Sequence, residues 1–198
     1  MISTTGLMLE TNRLFLRDFQ QDDVKAVHEY AGDPRVAEHS SWGPLSLDET
    51  RKYVEAALNE QLNPIRQVFE LGVVRKVDNR LIGTACFKVR SSINLEGEIG
   101  FTLRLDAWGQ GYATEAAREL IRFGFEKHRM HRLIAAASPL NIASQRVLEK
   151  VGMKREGHLR QNILQRGKWR DSILFSILAD ELVAEEGFDF RNGAANGI

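Results

Sequence analysis

Between Val68 and Gly124 the hydrophobic pattern of this chain changes period once, and the change falls on a pair of glycines. Upstream the pattern is that of strands. Val68 to Val77 and Leu81 to Val89 are apolar and rich in β-branched residues, and the polar break Asp78-Asn79-Arg80 between them reads as a hairpin. Leu95 to Leu105 follows as a third strand. Its alternation sets Glu98, Gly100 and Thr102 on one face and Ile99, Phe101 and Leu103 on the other. Downstream, Ala113, Ala116, Ala117, Leu120, Ile121 and Gly124 recur at helical spacing. A chain with this junction must lay a helix on a sheet, and the small residues at the start of the stripe let the first turns approach closely.

The remaining elements extend the same plan. A first strand is expected at Leu9 to Phe19 and helices at Asp22 to Ala31 and from Ser46 onward, where Ser46-Leu47-Asp48-Glu49 is a capping-box pattern. Gly32 to Leu45, with two prolines, reads as a loop. His131 to Ala137 is a short buried strand, Asn141 caps a helix reaching Lys150, and Gly152 ends it. Strands at about Lys154 to Leu164 and Trp169 to Leu178 flank the turn Gln165-Arg166-Gly167-Lys168. The order β-α-α-β-β-β-α-β-α-β-β gives an α/β (α+β) fold with a mixed sheet and helices on both faces. Residues 1–180 are expected to form a single domain and 181–198 a loose tail.

Composition narrows the function classes. Lys plus Arg (27) balances Asp plus Glu (27), so the excess basic charge of a broad nucleic-acid surface is lacking. No run approaches the roughly 20 apolar residues of a membrane span. Met1 to Glu10 lacks the basic and apolar regions of a signal peptide. Cys86 is the only cysteine, which excludes an intramolecular disulfide and suits a reducing cytosol; it reads as a small buried hydrophobe. A cytoplasmic monomer or homodimer is the expectation. The five histidines show no ligand spacing, so no metal is expected.

The junction Leu105 to Glu115 carries the chemistry. Gly109 and Gly111 let successive amides turn into one concavity, and the helix start adds unpaired N–H groups and a positive dipole end. Such a site suits a phosphate or pyrophosphate, although a helix entry needing flexible backbone explains the glycines equally well. Thr114 stands where G-x-G-x-x-G needs its third glycine, and no Gly-Lys-Ser/Thr follows. NAD and ATP are therefore not expected here.

Trp108-Gly109-Gln110-Gly111-Tyr112-Ala113 resembles the acetyl-CoA signature Q/R-x-x-G-x-G/A of the GNAT acetyltransferase superfamily. Trp108 in the first place departs from that pattern and matches the RimJ/RimL-type branch, where tryptophan is usual. The likeness runs on through Glu98-Ile99-Gly100-Phe101, Asn141-Ile142-Ala143-Ser144, Val147 to Met153 and Gly167-Lys168-Trp169-Arg170-Asp171. It begins at Glu10 to Arg17 and covers about Leu9 to Leu178.

The resemblance implies a mostly antiparallel sheet of about seven strands whose central pair splays apart to admit acetyl-CoA as co-substrate. Backbone groups of Phe101, Thr102 and Leu103 would meet the pantetheine. Amides of Gly109, Gln110, Gly111, Tyr112, Ala113 and Thr114 would hold the pyrophosphate. Asn141 would contact the cofactor, Ser144 would be both a cofactor contact and the general acid, and Arg146 with Lys150 would meet the 3′-phosphate. Glu98 is the candidate base, and Trp42 the candidate acceptor-pocket aromatic. Tyr112, inside the loop, reads as packing rather than as the acid. The acceptor is a primary amine. A protein or peptide α-amine is expected first; a polyamine, amino acid or antibiotic is the alternative, and a non-catalytic acyl-CoA-binding module stands behind both.

Overall fold

The computed structural model describes residues 6–38, 40 and 42–186. Eight strands form one sheet in the order β1-β2-β3-β4-β5-β6-β8-β7. They are β1 (Met8–Glu10), β2 (Leu14–Asp18), β3 (Val68–Arg75), β4 (Arg80–Ser91), β5 (Glu96–Leu103), β6 (Arg132–Ala137), β7 (Lys154–Gln165) and β8 (Lys168–Leu178). Every neighbouring pair is antiparallel except β5–β6. The helices are α1 (Val24–Ala31), α2 (Pro34–Ala37), α3 (Leu47–Gln61), α4 (Tyr112–Glu126), α5 (Ile142–Lys150) and α6 (Ala179–Glu186).

The two sheet faces bury different residue sets. On one, Ala116, Ala117, Leu120 and Ile121 of α4 close over Leu16, Leu71, Ala85, Phe87 and Ile99. On the other, Val27 and Tyr30 of α1 and Val54 of α3 pack with Phe19, Val74 and Leu81. The alternation along each strand assigns its residues to these two cores.

Three expectations change. The single strand at Leu9 to Phe19 is a hairpin of β1 and β2, with Leu9 opposite Leu16. Its turn is held from α4, where Glu115 accepts from Thr11 Oγ1 at 2.6 Å and from the Arg13 amide at 2.7 Å. The Gly32 to Leu45 loop contains α2, capped by Asp33, whose Oδ1 accepts from the Arg35 amide at 2.9 Å. The boundary at residue 180 falls inside α6, where Glu181 accepts from the Leu178 amide at 2.9 Å; the rest of the expected tail, 187–198, lies outside the described residues.

The parallel pair is short. Glu96, Gly97 and Glu98 pair with Arg132, Leu133 and Ile134, after which the strands part. Beyond that point β5 is held by β4 (Phe101 opposite Ala85) and β6 by β8 (Ala137 opposite Ile173). The gap is thus a V with unpaired main-chain edges. Arg132 clamps its closed end, donating to Glu96 at 3.0 Å and to both oxygens of Glu156 at 2.6 and 2.5 Å. The Arg132 guanidinium and the Ser176 hydroxyl hold the Glu156 carboxyl down to about 2.

Candidate active site

The loop after β5 takes the left-handed turns that its glycines suggest. Gly109 and Gly111 have φ of +73° and +81°, the left-handed region that side chains rarely adopt. Gly111 is the N-cap of α4, and the Glu115 amide, donating to Gly111 O at 3.1 Å, is the first to enter the helix ladder. Among the described residues, the amides of Gly109 through Thr114 donate no backbone hydrogen bond. Side chains brace the loop from outside. Arg13 Nη1 donates to Gln110 O at 2.9 Å, and Gln110 Nε2 donates to Asp106 O at 2.7 Å. Tyr112 is buried beneath the Arg13 guanidinium, 4.5 Å from its ring centroid, which fits the packing role.

Trp108 gains a function that the sequence did not show. Its indole Nε1 donates to Leu103 O at 2.8 Å, tying the end of β5 to the loop. The Leu103 side chain itself lies in the core, and its carbonyl accepts this bond.

Phe101 and Thr102 line a cavity of about 370 Å³ that starts at the open V and crosses the α1/α3 face of the sheet. Asn141 and Ser144 form its wall beside β6. Asn141 Oδ1 accepts from the Ser144 amide at 3.0 Å, so it caps α5 while facing the cavity. Glu98 and Trp42 also line it, Glu98 with Arg90 at 3.4 Å. Arg146 is exposed and borders neither this cavity nor the groove beside Gly111 and Thr114, which takes Arg118 and Lys150 instead.

Several lining residues went unread in the sequence. Tyr53, Glu70 and Thr84 close the deep end, and Arg170 and Asp171 of β8 stand near the mouth. Glu70 had one visible signal, being the only charge between Val68 and Val74 in an apolar strand. Desolvation, followed by the Glu70 and Glu98 carboxylates, pushes the Cys86 thiol well above its ordinary value. Cys86 lines the cavity but stays a neutral thiol, unsuited to act as a nucleophile.

A roof closes over the cavity from β7 and β8. Arg170 Nη1 donates to Glu38 O at 2.8 Å and Arg166 Nε to Gly43 O at 2.9 Å, while Gln165 Nε2 donates to Ser40 O.

Residues 13–154 match the family described as Acetyltransferase (GNAT) domain. The chain belongs to the GNAT acetyltransferases. It is 30% identical over 173 residues to "Uncharacterized N-acetyltransferase YnaD" of Bacillus subtilis (strain 168), covering 87% of this chain and 98% of that one. The [Ribosomal protein uS5]-alanine N-acetyltransferase of Escherichia coli (strain K12) is 26% identical, over 85% of this chain and 89% of its own. Among solved structures, a GNAT-family acetyltransferase from Bacillus anthracis superposes with a TM-score of 0.78 at 31% identity, covering 88% of this chain and 99% of that one. The acetyltransferase is therefore an acetyl-CoA-dependent N-acetyltransferase of RimJ/RimL-like type with an open, mostly antiparallel sheet.

Proposed function

We propose that this acetyltransferase moves the acetyl group of acetyl-CoA directly to a primary amine, with the α-amine of a protein or peptide N-terminus as acceptor. The observation that carries the transfer chemistry is one continuous cavity that joins the open V to a wall of carboxylates on the opposite side. The pyrophosphate rests on the amides of Gly109 to Thr114, and the pantetheine enters the V beside Phe101 and Thr102. Asn141 contacts the cofactor from the head of α5. Lys150 and Arg118, which border the groove continuing from Gly111, are better placed for the 3′-phosphate than Arg146.

The acceptor enters beneath the roof, past Trp42. Its nitrogen bonds to the thioester carbonyl carbon and the C–S bond breaks, with no acyl-enzyme between. Ser144, in the first turn of α5, supplies the proton to the leaving sulfur. An α-amine, with a reference pKa of about 7.7–8.0, is already partly neutral near pH 7. A small cationic amine is the second reading, favoured by the Glu70, Glu98 and Asp171 carboxylates that line one cavity.

The test is thiol release from acetyl-CoA against peptides with free N-termini, polyamines, amino acids and aminoglycosides, alongside calorimetric binding of acetyl-CoA. Turnover with peptides alone is expected. Turnover confined to polyamines replaces the first acceptor class with the second, and acetyl-CoA binding without thiol release from any amine removes catalysis.

A further inference from the structure

A carboxylate of β3, Glu70, lines the cavity beside Tyr53 and Thr84. Glu70 of β3 stands opposite Cys86 of β4, and Cys86 stands opposite Gly100 of β5. These three residues form one row across the sheet on the α1/α3 face. The row is open at its β5 end, where it forms a trench, and carries only the small Cys86 side chain before Glu70. Gly100 has no side chain, and a Cβ built there meets nothing within 4 Å. The trench runs from the edge of β5, where the thioester enters the V, toward Glu70.

The Glu70 carboxylate is drawn diagonally over β4, toward Thr84 in the neighbouring row. Its Oε1 accepts from Thr84 Oγ1, on the intervening strand, at 2.8 Å and from Tyr53 Oη of α3 at 2.5 Å. Both bonds fall on Oε1, and the neutral Cys86 thiol, between Glu70 and Gly100 in the row, also interacts with the carboxylate. Neighbouring strands lie about 4.8 Å apart, so a carboxylate drawn over β4 is separated from a group above Gly100 by about one water. A second polar group marks the same place. Tyr30 of α1 is 1% exposed, and its buried hydroxyl has no hydrogen-bond partner among the described residues. Both Tyr53 and Tyr30 remain neutral donors, because burial and the adjacent Glu70 charge push their phenols far up.

We infer that Glu70, acting through a single water above Gly100, accepts the proton that the acceptor amine sheds before it attacks the thioester, a task that the sequence assigned to Glu98. The inference rests on the acetyl-transfer reading above. An ammonium entering the trench loses one proton through the water to Glu70. The neutral nitrogen bonds to the carbonyl carbon and the C–S bond breaks. The nitrogen's second surplus proton leaves as the sulfur takes one from Ser144, whose hydroxyl is thereby restored. Glu70 then returns its proton to solvent through the open cavity.

Glu98 is less suited to the task. It lies one row nearer the closed end of the V, opposite Lys88 and 3.4 Å from Arg90, so two cations face it. Glu70 makes no ion pair among the described residues, and Arg17 of β2, on the same face, is taken by Asp23 at 2.7 Å. The other ionisable groups toward Glu70 are Cys86 and Lys88 of β4, Glu98 of β5, and Arg170 and Asp171 of β8.

Glu70→Gln keeps the acceptor atoms for Tyr53 and Thr84, and its kinetics against pH test the inference directly. With an amine that the wild type acetylates, kcat is expected to fall about 100-fold or more, the usual scale of base catalysis. Acetyl-CoA affinity should stay within twofold, and the rising limb of kcat on the acid side should disappear. Glu70→Asp should recover part of the rate and the limb, whereas Glu98→Gln should lose less rate than Glu70→Gln and keep the limb. A loss below tenfold in Glu70→Gln, or a larger loss with the acid limb unmoved, overturns the inference, as does a greater loss in Glu98→Gln. Wild-type protein that binds acetyl-CoA yet acetylates no amine overturns the transfer reading itself, a result separable from active Glu70→Gln.

Discussion

The proposed cofactor end and the proposed acceptor end of this site are built in opposite ways. The proposed phosphate cradle lies on one continuous stretch, Leu105 to Glu115, shaped mainly by local backbone conformation. The acceptor end draws Trp42, Tyr53, Glu70, Gly100 and Arg170 from five separate segments, and only the packing of α1 and α3 on the sheet brings them together. A cradle of main-chain amides requires glycine at fixed φ and so leaves a mark in the sequence. A pocket of side chains on one sheet face requires only period-two alternation, which every half-buried strand shows.

If the two ends are separable, substitutions should damage one and spare the other. The largest effect is expected from Gly111→Asp, which forces a side chain onto φ +81° and sets a negative charge against the pyrophosphate. Acetyl-CoA affinity should fall at least about 100-fold by calorimetry; an affinity within threefold of wild type would sink the cradle assignment. Gly100→Val comes next. Its Cβ has open space, so the fold should hold, while the branched side chain fills the trench. Acceptor kcat/KM should drop about 30-fold, roughly 2 kcal/mol, with acetyl-CoA affinity within twofold. Equal damage to both would show that the ends are coupled.

Ser144→Ala should lower kcat about tenfold without weakening acetyl-CoA, since Asn141 still caps the helix through the residue 144 amide. An unchanged kcat removes Ser144 from the proton path. The smallest effect concerns neither end. His128 packs among Phe69, Phe87 and Phe123, with ring centroids 4.7 to 4.8 Å away, and burial followed by Arg66 lowers its pKa. The folded state therefore prefers neutral His128. Its share of stability is present above the unfolded value of about 6.5 and is lost as pH falls through the lower folded value. Denaturant melts between pH 7 and 5 should show this slope weakening in His128→Gln; an identical slope would exclude the histidine.

The sheet, its helices and the left-handed glycine turn before α4 were legible because each rests on a local period or a glycine pair. The β1–β2 hairpin was not, since Glu115 fixes its turn from across the chain. Trp108 was readable as a departure from the family signature, yet its bond to Leu103 O needed the strand end and the loop in place together. Glu70 offered a lone charge in an apolar strand, but nothing in that spacing identified Tyr53 or Thr84 as its donors. Helical spacing placed Arg146 and Lys150 on one helix, and only the packing of α5 on α4 shows that Lys150 borders the groove beside Gly111.

The roof over the acceptor end has a consequence for how such enzymes diverge. The bonds from Gln165, Arg166 and Arg170 terminate on the carbonyls of Ser40, Gly43 and Glu38, groups that every residue carries. The lid segment can therefore exchange its side chains, Trp42 included, and still be fastened to the hairpin. Acceptor choice is free to drift while the scaffold and its donor chemistry stay fixed, so selection can act on one without endangering the other.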